Sequence, residues 1–269
     1  MKTSLKYLTV FLVILQLAGL AGAEEISGTL CTPDRVSIAY EHVKNGFDSV
    51  VIICPGFYNS KSNRWMQKAK EMMSAEHDVI IFDFRGHGKS GGTFMWSSKE
   101  YKDLETVVEY ARSHGYRKID ILAFSLGAVA AINVASRRDD ISRMVLISAP
   151  AHFNKINFNF WEPGMFADLK DNIECKWEGK GARSGWMFGP KPDPVEDIRK
   201  VKNTVILFIH GDSDWVIKHR QSSRLYNAAV TKKDIVVIKN GYHAERLIQQ
   251  YPDVMKGLIL GWFSDDKKV

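Results

Sequence analysis

From Ser49 onward, short and almost uniformly apolar runs alternate with stretches of helical character. The apolar runs lie at residues 50–54, 78–83, 119–124, 144–147, 205–209 and 235–238. The helical stretches lie at 64–74, 98–113 and 126–136, and a closing helical region over 244–263 is interrupted near Pro252. Runs that are apolar throughout are typical of strands buried on both faces. The chain is therefore predicted to have an α/β fold, a mostly parallel central sheet flanked by helices, with its active crevice beyond the carboxyl ends of the strands.

The first 23 residues differ from the rest of the chain. Lys2 and Lys6 precede an uncharged stretch, and Ala21-Gly22-Ala23 leads directly into acidic residues. This order is typical of a secretory signal peptide cleaved after Ala23, and it predicts a secreted or periplasmic protein without a stable membrane span. An uncleaved membrane anchor is the alternative, because the charge-free stretch nearly reaches spanning length.

Residues 24–269 are predicted to form a single domain, with 26–40 as an antiparallel hairpin at the sheet edge. Between about 151 and 195 no strand pattern is found, and a structureless surface loop of that length would be unusual. We expect a short lid insertion packed over the crevice, or else a segment whose apolar side chains simply pack into the core. The segment is dense in aromatic residues and methionines: Phe153, Phe158, Phe160, Trp161, Met165, Phe166, Trp177, Trp186, Met187 and Phe188.

Ser125 lies where an apolar strand-like run ends and a helix of small residues begins. Ala123 and Gly127, two residues to either side, leave room for a tight strand-to-helix turn. The pattern is that of a nucleophile elbow, G-x-S-x-G, with alanine at the first glycine position. A helix N-cap is the structural alternative for a serine in this place.

Two further polar segments follow predicted strands. Asp212 and Asp214 come after the run at 205–209, and His243 comes after the last run, just before the closing helix. The chain order serine, acid, histidine is that of the α/β-hydrolases rather than of chymotrypsin or subtilisin. Because the carboxyl ends of parallel strands meet at one sheet edge, we expect these groups to converge.

The chain resembles the α/β-hydrolase superfamily, in the group of serine aminopeptidase-like, monoglyceride lipase-like and carboxylesterase-like enzymes. The resemblance extends from about Ile26 to Phe263. Beside the elbow, it rests on Asp83-Phe84-Arg85-Gly86-His87-Gly88-Lys89-Ser90, similar to the D-x-R-G-x-G-x-S turn, and on His210-Gly211-Asp212-Ser213-Asp214-Trp215-Val216, similar to H-G-x-x-D-x-x-V.

The resemblance implies a role for each matching residue. Ser125 is the nucleophile, His243 the general base and then acid, and Asp214, in preference to Asp212, orients the imidazole. The backbone amides of Phe57 and Leu126 form the oxyanion hole. Residues 83–87, including His87, belong to a mainly structural turn and are assigned no catalysis.

Charge and cysteine content restrict the remaining classes. The formal charge is +6, but the sequence has no block of five or more basic residues, so nucleic-acid binding is not expected. Cys31, Cys54 and Cys175 are odd in number and widely spaced, so at most one pair can bridge, and Cys54 reads as a buried thiol. Neither P-loop spacing nor clustered metal-ligating residues occur, and no cofactor or metal is predicted.

The predicted function is that of an exported serine hydrolase, which cleaves small and partly apolar carboxylic esters through an acyl-enzyme. A serine aminopeptidase, an amidase or an acyltransferase using the same triad is an alternative within enzymes. A non-catalytic binding protein with this fold is the alternative from another class.

Overall fold

The computed structural model describes residues 24–153 and 162–264, which form one eight-stranded sheet with helices on both faces. The strands are β1 (Glu24–Cys31), β2 (Ser37–Lys44), β3 (Ser49–Cys54), β4 (Asp78–Phe82), β5 (Lys118–Phe124), β6 (Ile141–Ile147), β7 (Val205–Gly211) and β8 (Lys233–Ile238). The helices are α1 (Arg64–Met73), α2 (Glu100–Ser113), α3 (Leu126–Ala135), α4 (Pro163–Glu174), α5 (Pro194–Ile198), α6 (Arg220–Ala228), α7 (Arg246–Gln250) and α8 (Pro252–Phe263).

The strand order in the sheet is β1-β2-β4-β3-β5-β6-β7-β8. Strand β2 runs antiparallel to both of its neighbours, whereas β3 to β8 pair in parallel. The predicted mostly parallel sheet flanked by helices is therefore confirmed, and the edge hairpin is formed by β1 and β2. Since β3 to β8 are parallel, their carboxyl ends share one edge, where an open α/β sheet places its ligand crevice.

The central strands bury side chains on both faces, as their uniform apolar composition requires. In β3, Ile52 and Cys54 face one hydrophobic cluster, whereas Val51 and Ile53 face the other. Helices α2, α3, α5 and α6 cover the first face, and α1, α7 and α8 cover the second. The alternation follows the two-residue period of a strand, so each strand fastens both helical layers to the sheet.

Three helices were not anticipated from the sequence. Helix α4 and helix α6 bury few apolar residues, and α6 buries Leu225 beside the polar Gln221 and Ser222, while α5 has only five residues. Such helices lack the broad apolar stripe on which pattern recognition depends. The closing helical region is divided at Pro252, which begins α8, because proline removes a backbone donor and suits the first turn of a helix.

The predicted signal peptide, residues 1–23, lies outside the described residues, as do Phe158, Phe160 and Trp161 of the predicted lid. Within residues 24–153 and 162–264, no helix is both long and apolar enough to span a bilayer. Cys31, Cys54 and Cys175 are free thiols, and Cys54 is fully buried, which raises the pKa of its thiol.

Candidate active site

Ser125 occupies a strained turn between β5 and α3. Its φ is +50° and its ψ is −121°, in a region where a non-glycine residue costs about 1–3 kcal/mol. The amide of Ser125 donates to the carbonyl of Ile147 at 2.8 Å, which ties the turn to the end of β6. The side chain of Ser125 makes no capping hydrogen bond to the helix, so it does not act as an N-cap. The turn instead presents the hydroxyl at the carboxyl edge of the sheet.

The hydroxyl of Ser125 meets an imidazole and a carboxylate that come from distant parts of the chain. Ser125 Oγ lies 3.0 Å from His243 Nε2, and His243 Nδ1 lies 2.7 Å from Asp214 Oδ2. With Nδ1–H donating to the carboxylate, Nε2 is the acceptor for the serine proton. Asp214 follows β7 and His243 follows β8, so the parallel sheet itself brings the three side chains together.

The structure distinguishes the two acids of the segment after β7. Asp214 is fully buried, and its Oδ1 accepts backbone N–H bonds from Val216 and Ile217 at 2.9 and 2.8 Å. Asp212 is exposed and accepts instead from the amide of Asn240. Asp214 is thus the acid whose side chain contacts His243.

A second histidine, His210 at the end of β7, contacts the same carboxylate. Its Nε2 lies 3.0 Å from Asp214 Oδ2 and 2.7 Å from the carbonyl oxygen of Ile217, and its Nδ1 lies 2.7 Å from Ser222 Oγ. The ring is completely buried. The sequence contained His210 in the matched H-G-x-x-D segment, but nothing in that pattern indicated a contact with the acid.

The charges of this cluster perturb one another. Burial alone raises the pKa of Asp214, but the charge of His243 and hydrogen bonds from His210 and His243 outweigh it and hold that pKa well below its usual range. Burial lowers the pKa of His243, but the charge and hydrogen bond of Asp214 outweigh it, helped by Glu245 and Asp168, and raise that pKa. The carboxylate therefore stays ionised and stabilises an imidazolium at His243.

The two amides predicted to face an oxyanion are those of Phe57 and Leu126. Both residues line the same cavity as Ser125 and His243. Among the described residues, neither amide donates a hydrogen bond to another protein group. Leu126 begins α3, so its amide also carries the positive end of the helix dipole. Both amides therefore lack a protein acceptor and belong to residues that line the cavity of Ser125.

The cavity next to Ser125 has a volume of about 440 Å³. The residues that line it come from both sides of the sheet edge and from the predicted lid: Gly56, Phe57, Tyr58, Trp96, Ser125, Leu126, Asp168, Asp171, Asn172, Lys180, Trp215, Val216, Ile217, His243, Glu245 and Arg246. Its wall combines apolar and aromatic side chains with a group of charged ones. A small organic molecule with an apolar part fits such a site.

The lid segment contributes charged rather than aromatic residues to this cavity. Helix α4 directs Asp168 and Asp171 inward, while Phe166, Leu169 and Ile173 are 53%, 41% and 60% exposed. The aromatic lining comes from other segments. Residues of the predicted lid segment thus line the cavity, whereas Phe166, one of its aromatic residues, is exposed, and the lid itself stays a prediction.

Electrostatic contacts explain why α4 turns its carboxylates inward and leaves apolar side chains exposed. Asp171 is paired with Arg64 and with Arg246, the latter at 3.0 Å. Asp168 accepts from the indole N–H of Trp215 at 2.6 Å and lies 3.1 Å from Arg246. Burial raises the pKa of Asp168 to about 6. The helix therefore packs against the domain through buried carboxylates. Its sequence alone would predict that these charged side chains face solvent.

A further charged pair, Lys180 and Glu245, joins the predicted lid segment to the loop after β8 that contains His243. Glu245, two residues after His243, accepts from Lys180 at 2.8 Å and from the side-chain amide of Asn59 at 2.5 Å. The Lys180 and Glu245 side chains are only 11% and 10% exposed. Sequence reasoning did not identify Lys180 or Asn59, because no local pattern links residues so far apart. Across the described residues, no group of three histidine, cysteine or acidic side chains is arranged to hold a metal ion.

Comparison with known proteins agrees with this architecture. A family model described as serine aminopeptidase, S33, matches residues 46–174. The uncharacterized protein YfhR of Escherichia coli (strain K12) is 25% identical over 183 residues, which cover 66% of this chain and 57% of that protein. The chain thus spans little more than half the length of this curated relative.

Solved structures with the same fold include two esterases. The Pyrococcus furiosus esterase Pf2001 superposes with a TM-score of 0.73 at 24% identity, covering 90% of this chain and 92% of the other. A thermophilic esterase from Thermogutta terrifontis superposes with a TM-score of 0.68 at 16% identity, covering 88% and 97%. The chain therefore has the α/β-hydrolase fold.

Proposed function

We propose that the protein is a serine hydrolase that cleaves carboxylic esters through an acyl-enzyme. The observation that carries the proposal is the continuous hydrogen-bonded chain Ser125–His243–Asp214, which opens into a cavity with two free backbone amides. A serine hydroxyl is a weak nucleophile near neutrality and needs a base within hydrogen-bond distance. The esterases with the same fold are consistent with this proposal.

Each residue then has a defined step. Ser125 Oγ attacks the ester carbonyl carbon while His243 Nε2 takes the hydroxyl proton, and the carbonyl oxygen becomes an oxyanion at the amides of Phe57 and Leu126. Collapse breaks the bond to the leaving alkoxide, which receives the proton from His243. Water repeats the sequence on the acyl-enzyme and releases the acid. Asp214 holds the imidazole tautomer and stabilises the imidazolium without taking the proton.

The cavity favours a substrate with an apolar portion. Leu126, Trp96 and Ile217 are among the residues that line it and offer an apolar surface to an acyl chain. We expect short and medium acyl chains to be preferred over large polar acyl groups.

The test is turnover of p-nitrophenyl esters from acetate to dodecanoate, with Ser125→Ala as control. Steady release of p-nitrophenol that is lost in Ser125→Ala supports the proposal.

Modification of wild-type Ser125 by a fluorophosphonate with no ester turnover, together with cleavage of aminoacyl amides, would assign the protein as an aminopeptidase or amidase. That is the second candidate, because the matching family model is described as a serine aminopeptidase. Transfer of the acyl group to an added alcohol in preference to water would assign an acyltransferase. Absence of labelling at Ser125 would assign a binding protein.

We also propose that the protein is exported and that its signal peptide is cleaved after Ala23. Fractionation and N-terminal sequencing of the expressed full chain test this. A mature protein beginning at Glu24 is expected, and a membrane-bound protein that retains Met1 would contradict cleavage.

A further inference from the structure

The turn after β3 contains an unusual backbone conformation next to the proposed oxyanion hole. The amide of Asn59 donates to the carbonyl of Gly56 at 3.3 Å, and Tyr58 has a φ of +66°. A four-residue turn with a positive φ at its third position is a type II turn, which normally places glycine or asparagine there. Tyrosine in this position must be held by surrounding contacts, because the conformation is unfavourable for a side chain with a Cβ.

His87 supplies one such contact from the turn that follows β4. Its Nε2 accepts the backbone N–H of Tyr58 at 3.1 Å, while its Nδ1–H donates to the carbonyl of Arg85 at 3.1 Å. The second bond fixes the tautomer, so that the lone pair of Nε2 is directed at Tyr58. Burial, together with the charge of Arg183, lowers the pKa of His87 to about 4, so the ring is neutral across the physiological range.

The imidazole also fixes the side chain of the preceding residue. The ring of Phe57 meets His87 edge-on at a centroid distance of 6.0 Å and stacks on Phe94 at 4.9 Å. His87 meets Phe94 at 5.1 Å, so the three rings form one cluster. His87 itself is buried, with 1% of its surface exposed.

The opposite side of the turn is held by the lid segment. The carbonyl of Tyr58 accepts from the amide of Gly181 at 3.0 Å, and the amide of Ser60 donates to Gly179 at 2.8 Å. These bonds fix the far end of the turn but leave the central peptide, between Phe57 and Tyr58, dependent on the bond to His87. Without His87, Phe57 would lose the ring packed against its side chain and the bond that fixes the next amide, so Phe57 and its own amide would be held less firmly.

We propose that His87 is a positioning residue for the reaction: by packing against the Phe57 ring and accepting the Tyr58 amide, it holds Phe57 so that the Phe57 amide faces the oxyanion of the tetrahedral intermediate. The inference rests on the proposed function, since an oxyanion forms only if Ser125 attacks a carbonyl. His87 itself touches neither Ser125 nor the cavity near it. It acts through the backbone of the turn.

The experiment compares His87→Leu, which removes the acceptor, with His87→Gln, which keeps an acceptor near the position of Nε2. Loss of one oxyanion donor lowers the rate by about 10²–10³, and partial misalignment should cost about 10-fold to 10²-fold. For His87→Leu we expect kcat to fall by that factor with KM unchanged, and the affinity for a trifluoromethyl ketone, which forms a tetrahedral adduct, to fall by the same factor. His87→Gln should recover part of both.

His42→Leu is the matched control. His42 is also fully buried, and its ring contacts the hydroxyls of Tyr110 and Tyr116 at 3.1 and 2.8 Å, away from the cavity. This variant should lose stability but keep kcat per folded molecule. A folded His87→Leu protein that keeps both kcat and inhibitor affinity overturns the proposal, as does a loss of the same size in His42→Leu.

Amide hydrogen exchange separates this inference from the proposed function. In the wild-type protein the Tyr58 amide should exchange slowly, and rapid exchange there overturns the positioning role without any variant. If the wild type turns over no ester and Ser125 resists a fluorophosphonate, the proposed function fails. The positioning of the turn by His87 would then still be decided by whether Tyr58 protection is lost in His87→Leu and kept in His87→Gln.

Discussion

Gly127, the second residue of α3, allows the helix to begin against the end of β3. A Cβ at this position would lie 2.4 Å from the carbonyl oxygen of Pro55 and 2.6 Å from that of Cys54. Both oxygens belong to the backbone, so neither can rotate away as a flexible side chain would. Gly127→Ala therefore forces the start of α3 to move by about 0.6 Å merely to reach the 3.0 Å lower limit of real contacts.

The expected loss of stability follows from two opposing effects. Overpacking of a close contact costs about 1–3 kcal/mol, and contact with two backbone carbonyl oxygens places this site at the upper end. Alanine regains up to about 1 kcal/mol over glycine in a helix. The net loss should be about 1–2 kcal/mol, which for a domain of this size lowers Tm by about 2–8 °C. The same displacement moves the Leu126 amide, so kcat/KM for an ester should fall as well.

Gly257 in α8 is the matched control, since a Cβ there would meet nothing within 4 Å. Gly257→Ala should stabilise the protein by about 0.5–1 kcal/mol. Urea unfolding followed by circular dichroism measures both variants, and the ester assay measures the effect on activity. A Gly127→Ala protein as stable as the wild type, or a Gly257→Ala protein destabilised to the same degree, would refute the close-approach argument.

Three further outcomes are expected. Asp214→Asn should reduce kcat by about 10⁴-fold with little change in unfolding, because an amide cannot hold the His243 tautomer; a loss below tenfold would contradict the proposed role. His243 must be neutral to accept a proton and its pKa is raised, so the fall of kcat/KM with decreasing pH should have its midpoint above the ordinary histidine pKa of about 6.5. Glu245→Gln removes a charge that raises this pKa and should move the midpoint to lower pH. A midpoint that does not move, or that rises, would contradict the role of the Glu245 charge. Arg85→Leu should destabilise the protein by about 3–5 kcal/mol in urea unfolding, since it strands the fully buried carboxylate of Asp103, whereas an unchanged midpoint would show that the pair is not needed.

Much of the fold could be predicted from the sequence because buried strands have a local signature. The runs at 50–54, 78–83 and 119–124 match β3, β4 and β5 to within a residue at each end. The polar helix α6 and the inverted helix α4 carry no such signature, because the groups that stabilise them belong to other segments. For the same reason the contact of Asp171 with Arg64 could not be foreseen.

The candidate site divides in the same way. Ser125, Asp214 and His243 were predicted from their places after strands, and the structure brings their atoms within hydrogen-bond distance, while their catalytic role stays a prediction. No sequence signal showed that Lys180 pairs with Glu245 in the cavity wall. The matched turn after β4 contained His87 but did not indicate its partner.

The sequence by itself determined the layered α/β architecture and the strand ends on which reactive groups stand, because hydrophobic burial leaves a periodic trace in each segment. Only the tertiary structure decided that His210 shares the carboxylate of Asp214, which face of α4 is buried, and which side chain holds the turn at Tyr58. Those outcomes depend on distances between segments remote in the chain, and a hydrogen bond or ion pair has its strength only where both partners are placed.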